Sequence, residues 1–177
     1  RSARQLLTLL TRRARWGGHE NPRSLKCVLS SWRADRLRLL EAVADACRAR
    51  DAAGLRIARR ELLDSLPRAS EARRGMIYFI VSTISDESAL AYVGKTDRTF
   101  AERYSNTVKR DLAKSLPEAV RHRWSAGCQR AGVLLHTSSG MPWGASEAAF
   151  VCLLGTLFRI ECDGINWAIG GRTDKNV

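Results

Sequence analysis

Two short runs of β-branched and aromatic residues, Met76 to Thr83 and Leu90 to Val93, flank the turn sequence Asp86-Glu87-Ser88. Runs of that composition read as strands, and the short polar break between them predicts an antiparallel hairpin. Each strand carries a tyrosine, Tyr78 and Tyr92, and the second ends at the glycine turn Gly94-Lys95-Thr96. Gly132 to Thr137 reads as a third strand, and Asn166 to Ile169 as a short terminal edge strand.

Helices are expected between these strands. Thr99 and Glu102 have capping-box spacing and open a helix through about Leu112. Pro117 sits in the first turn of another, through about Ala131. Ser146 caps a helix whose buried face is Ala149, Leu153, Leu157 and Ile160. The fold class expected for residues 75–177 is therefore α+β, a small, mostly antiparallel sheet flanked by helices.

Residues 1–74 read as all-helical. One short helix runs from Arg4 to about Arg15 and ends at Trp16-Gly17-Gly18. Ser30 or Ser31 caps a second, to about Arg50, with the apolar rows Leu37, Leu40, Ala44, Cys47 and Trp32, Leu39, Val43, Ala46. Asp51 caps a third, with Leu55, Ala58, Leu62 and Leu66 on one face and Pro67 as its stop. The last two are expected to form an antiparallel pair. Arg68 to Arg74 reads as a polar linker, which places a domain boundary at residue 74. No internal repeat or low-complexity tract interrupts either part.

The charge is distributed unevenly. The chain's 177 residues carry a formal net charge of +12. Residues 1–74 hold 18 Lys and Arg against 8 Asp and Glu, whereas residues 75–177 hold 12 against 10. A cationic helical extension beside a near-neutral domain points to a polyanion, nucleic acid ahead of an anionic membrane surface. Arg12, Arg13, Arg59, Arg60, Lys95, Lys109 and Arg110 are the candidate nucleic-acid contacts. The extension is also a candidate surface for protein partners. No apolar run reaches the roughly 18 residues of a membrane span.

The five cysteines form no Cys-x-x-Cys pair and are odd in number, which argues against a disulfide framework and for a reducing compartment. His19 and Cys27 are spaced wrongly for a zinc clip. Arg1, Arg4, Arg12, Arg13 and Arg15 precede the first acidic residue, Glu20, and Leu6, Leu9 and Leu10 give that stretch an apolar stripe. Its composition is that of an organellar transit segment. The expected location is intracellular, in the nucleus or an organelle such as the mitochondrion.

Few residues suggest a particular chemistry. Strand tyrosines ordinarily fill a core with their hydroxyls bonded. Arg103 lies early in a helix, where the dipole favours anions, and its planar fork suits a phosphate oxygen. Glu147 lies at a helix start, where a carboxylate is stabilised by the dipole or serves as the single carboxylate of a Mg²⁺ site. Asn166 after Gly164-Ile165 is ordinarily a turn residue.

Taken in this order and on these elements, the residues resemble the GIY-YIG nuclease domain over roughly Gly75 to Gly171. Met76-Ile77-Tyr78 and Tyr92-Val93-Gly94 stand at the two signatures, with methionine for the leading glycine and valine for one isoleucine. Phe100 and Arg103 match the helix motif, Ser146-Glu147 the metal-ligand position, and Gly164-Ile165-Asn166 the late Gly-aromatic-Asn element. The resemblance implies a metal-dependent endonuclease cutting phosphodiester bonds, in DNA ahead of RNA. It implies Glu147 as the ligand of Mg²⁺ or Mn²⁺, Tyr92 or Tyr78 as general base, Arg103 as electrostatic clamp and Asn166 as brace. One departure bears on activity: Thr107 stands where the family carries histidine or tyrosine. The alternative expectation is a catalytically weak or inactive domain kept as a nucleic-acid-binding component of a nucleoprotein assembly, such as an organellar ribosome.

Overall fold

The computed structural model describes residues 2–13, 22–71, 73–105, 114, 116–136, 143–156 and 163–166. Its elements are α1 (Ala3–Arg13), α2 (Pro22–Ser30), α3 (Ala34–Ala49), α4 (Ala52–Ser65), a 3₁₀ turn (Ala69–Glu71), β1 (Met76–Ser85), β2 (Ser88–Thr96), α5 (Phe100–Arg103), α6 (Glu118–Ala126), β3 (Cys128–His136) and α7 (Trp143–Leu153). The protein is α+β, with an open three-stranded antiparallel sheet ordered β2-β1-β3.

The register decides which side chains share a face. Phe79 lies opposite Val93, and Ile80 opposite Tyr92. With side chains alternating along each strand, Ile77, Phe79, Val81, Ala91 and Val93 point one way, and Met76, Tyr78, Ile80, Leu90 and Tyr92 the other. The first set joins Leu10, Leu29, Leu40, Leu62, Phe150 and Leu154 in one large core. The helices of the extension and α7 therefore cover this face. The second set packs with Trp124, Val133 and Ile165 in a smaller core. Each fully buried Leu, Ile or Phe contributes about 1.5–3 kcal/mol, so the first face carries most of the apolar stabilisation.

Because the core runs through both parts, the boundary drawn at residue 74 does not divide two separate interiors. The Arg68–Arg74 segment is not a free linker either. The Pro67 carbonyl accepts from Val133 N–H at 2.8 Å, Arg68 forms a bridge with Gly132, and Ala69 is buried. The chain leaving α4 thus lies along the outer edge of β3.

Several local expectations match the structure. Asp51 caps α4, its carboxylate accepting from Gly54 N–H at 2.9 Å. Thr99 and Glu102 form a reciprocal capping box at α5. Others are corrected. Ser30 and Ser31 cap no following helix: their hydroxyls donate back to Cys27 and Val28 carbonyls at the end of α2, and α3 starts at Ala34. The helix expected to reach Ala131 stops at Ala126, and β3 begins at Cys128. At Gly127 the chain comes so close to β1 that a Cβ would lie 2.1 Å from Ser82 Oγ.

Ser146 is not a cap but lies inside α7, with its side chain buried. That helix ends at Leu153 because Gly155 adopts φ +61°. The Thr156 and Gly155 N–H groups then close on the Val151 and Cys152 carbonyls, the pattern of a left-handed helix stop. Leu157 and Ile160 lie outside the described residues, as do Trp167 to Ile169 of the expected edge strand. Gly164, just before Asn166, bridges Ala91 in parallel.

Candidate functional site

Tyr78 and Tyr92 share the second face of the hairpin, with ring centroids 6.3 Å apart. Gly94 lies directly across from Tyr78 in the register. A Cβ on Gly94 would come within 2.5 Å of the Tyr78 ring and hydroxyl. The glycine of Tyr92-Val93-Gly94 is therefore there to admit the neighbouring ring. The Tyr78 side chain is buried, with its hydroxyl facing Arg103 and the Tyr92 hydroxyl. Burial pushes the Tyr78 phenol up to about 12, while the Arg103 charge pulls the other way by less. Burial raises Tyr92 as well, helped by repulsion from Tyr78 once that phenol ionises and by the Glu147 carboxylate. Both hydroxyls are protonated at neutral pH, so both are donors in the chain as it stands. Service as general base, as the resemblance implies, requires one of them to lose its proton under the influence of a neighbouring cation or bound metal.

Arg103 comes from α5, whose capping box fixes the start of the helix one turn earlier. Phe100, on the same helix, anchors α5 by an edge contact with Tyr78 at 5.2 Å between centroids. The guanidinium lies close enough to both tyrosines to bias their protonation.

Glu147 reaches the same edge from the other side of the sheet. Its helix, α7, packs against β2. The carboxylate is 7% exposed, and its Oε2 is 3.2 Å from Lys95 Nζ. It lies close enough to both tyrosines to raise their pKa values. Ser146 Oγ beside it is buried without a partner among the described residues. Sequence reasoning placed Lys95 among surface contacts and missed its pairing with Glu147. The available signal was a cation directly after Gly94, which is not the expected turn: β2 continues through Lys95 to Thr96, paired with Ile77 and Met76.

Asn166 closes the outer edge of β2. Its Oδ1 accepts from Val93 N–H at 2.9 Å, and its Nδ2 donates to the Val93 carbonyl at 2.7 Å. One amide thus stands in for a missing strand at the residue between Tyr92 and Gly94. Its own N–H donates to the Thr156 carbonyl at 2.7 Å, tying the end of α7 to the same point.

The expected nucleic-acid contacts fare differently. Arg59 is corrected: it is 2% exposed, and its guanidinium donates to the Leu154 and Gly155 carbonyls behind α7. An Arg in that position satisfies a helix end, not a phosphate. Arg60 is half-exposed, 3.5 Å from Asp86 at the hairpin turn. The side chains of Arg12 and Arg13, and all of Lys109, Arg110 and Thr107, lie outside the described residues.

The structure thus brings Tyr78, Tyr92, Arg103, Lys95 and Glu147 to one edge, braced by Asn166. Two cations and two phenolic donors around one carboxylate suit an anionic group such as a phosphodiester. Among the described residues no group of three His, Cys, Asp and Glu could hold a metal. One carboxylate is enough for Mg²⁺ when water and a substrate phosphate complete the shell. The donor chemistry at Glu147 fits that case, with Lys95 as the competing cation. No helix among the described residues is long and apolar enough to cross a membrane. Compared with protein-family models, curated proteins and solved structures, the chain has no significant match.

Proposed function

We propose that this chain is a GIY-YIG-type, metal-dependent endonuclease that hydrolyses phosphodiester bonds, with DNA as its favoured substrate. The observation that supports this is the meeting of Arg103, both tyrosines and Glu147 at the Asn166-braced edge of β2.

In this reading Glu147 would hold Mg²⁺ or Mn²⁺. The bound ion would supply a positive charge that polarises the scissile phosphate. Arg103 presents its fork to the phosphate and stabilises the charge that builds on its oxygens, an effect worth several kcal/mol in a site shielded from water. With an ion bound beside them, one of Tyr78 and Tyr92 would take the proton of the attacking water as general base, and the other would donate a hydrogen bond to a phosphate oxygen. Lys95 neutralises Glu147 between encounters and is a further cation for the substrate. Asn166 and Gly94 act on geometry, holding the strand and ring where these donors converge.

The Lys95–Glu147 contact favours a second reading, because a carboxylate already paired with an ammonium needs no metal. On that reading the domain is a nucleic-acid-binding component of a nucleoprotein assembly. Nicking of supercoiled plasmid by the full chain in Mg²⁺ and in chelator separates the two. Nicking confined to Mg²⁺ is expected. Salt-sensitive binding with no nicking in either Mg²⁺ or Mn²⁺ would favour the second reading.

A further inference from the structure

A cavity of about 560 Å³ lies toward the β3 edge of the sheet, separated from the site at β2 by Phe100. Its walls include Phe100 and Tyr104, stacked on each other at 5.5 Å and 32°. Ile80 and Ala131 of the sheet lie beside them with Leu63 and Leu66; Arg68 is an exposed cation of the lining, and Arg130 is paired there with Asp64. We propose that this cavity receives an unpaired nucleobase of the bound strand, so that the substrate carries a bulged or single-stranded nucleotide next to the cut. This inference rests on the proposed nucleic-acid-cutting role.

The argument starts with Phe100. One edge of its ring touches Tyr78 at the site, and Tyr104 packs against it on the cavity side. A single aromatic residue therefore separates the cavity from Arg103's surroundings, so neighbouring nucleotides of one strand can occupy both. The cavity has the size of small-ligand sites, which run to about 300–1,000 Å³. It offers aromatic rings for stacking, the Arg68 guanidinium for a flanking phosphate and the Ser70 hydroxyl for a base edge, while Gln129 is held by Tyr104 and the Trp124 carbonyl. A paired base within a duplex cannot enter such a space, whereas an unstacked one can.

Tyr104 is the residue to change. Its hydroxyl donates to Gln129 Oε1, and its ring belongs to the cavity wall. Binding of the full chain to fluorescein-labelled DNA in chelator gives a readout independent of cutting. The probes are a perfect duplex, the same duplex with one bulged 2-aminopurine, and an RNA version of each. Wild type is expected to bind a bulged duplex about tenfold more tightly than its perfect counterpart, the scale of one base stacked on an aromatic ring. The 2-aminopurine fluorescence should be quenched on binding.

Tyr104→Leu should lose both the preference and the quenching while keeping wild-type affinity for the perfect duplex. Tyr104→Phe, which keeps the ring, should retain them. Equal affinity of wild type for bulged and perfect duplexes, without quenching, would overturn the assignment. So would a preference that survives in Tyr104→Leu. Plasmid nicking without a bulge preference would sink the cavity alone, and a Tyr104-dependent bulge preference without nicking would support the cavity and sink the nuclease.

Discussion

The two faces of the sheet use the same strands for different ends. On the helical face, Ile77, Phe79 and Val93 are buried among leucines from five helices. The buried charge nearest that packing, Arg59, is occupied by two carbonyls. On the other face, one residue along in the same strands, Tyr78 buries a polar hydroxyl beside Arg103 and Tyr92. Polar groups buried like this cost stability, and a sheet that spends one face on burial can tolerate them on the other. The basic extension is then first a scaffold, and the edge of β2 is where chemistry can happen.

The difference can be tested from the scaffold outward. Arg59→Met keeps much of the side-chain volume but strips two buried carbonyls of their donor. We expect it to cost about 3 kcal/mol in denaturant unfolding while leaving DNA affinity unchanged. A loss of DNA affinity with stability intact would reverse the assignment of Arg59.

The tyrosine face answers to pH. Tyr78 is raised to about 12 by burial, whereas an unfolded tyrosine ionises near pH 10. Over that interval the unfolded chain has released a proton that the folded chain retains. Stability must therefore fall as pH rises from about 10 to about 12, by up to about 3 kcal/mol from this group. Phenolate absorbance should accordingly lag behind that of the denatured chain, with Tyr92 and Tyr104 also raised. A phenol titrating near neutral pH in the folded, metal-loaded protein would identify a tyrosine as general base.

Gly94→Ala probes the boundary between the faces. Its methyl group would overlap the Tyr78 ring, and such overpacking costs about 1–3 kcal/mol. Nicking should fall at least about tenfold as Tyr78 is displaced, with most of the fold retained in circular dichroism. Undiminished nicking would remove Tyr78 from the site.

What the sequence reveals follows the range of each interaction. The Asp51 cap and the Thr99–Glu102 box are legible because their hydrogen bonds close within a few residues, and the hairpin because its strands are joined by a short polar turn. The stop of α7 is not, because apolar spacing continues past Gly155 and only the backbone turns away. Ser146 has the composition of a cap but is enclosed by packing from elsewhere. Arg59 looks like any other arginine of a basic helix until Leu154 and Gly155 come beneath it. Lys95 and Glu147 meet only when α7 docks on β2. The residue types of the site could be read in order along the chain. Their meeting at one edge depends on tertiary contacts.

The most direct measurement pairs wild type with Glu147→Gln, comparing melting temperature and Mg²⁺-dependent plasmid nicking on the same preparations. Loss of an ion pair whose carboxylate is 7% exposed should lower the melting temperature by roughly 5–10 °C, with the chain folded at the assay temperature, and nicking should disappear. Nicking that persists in Glu147→Gln at the wild-type rate would contradict the site placed at this edge.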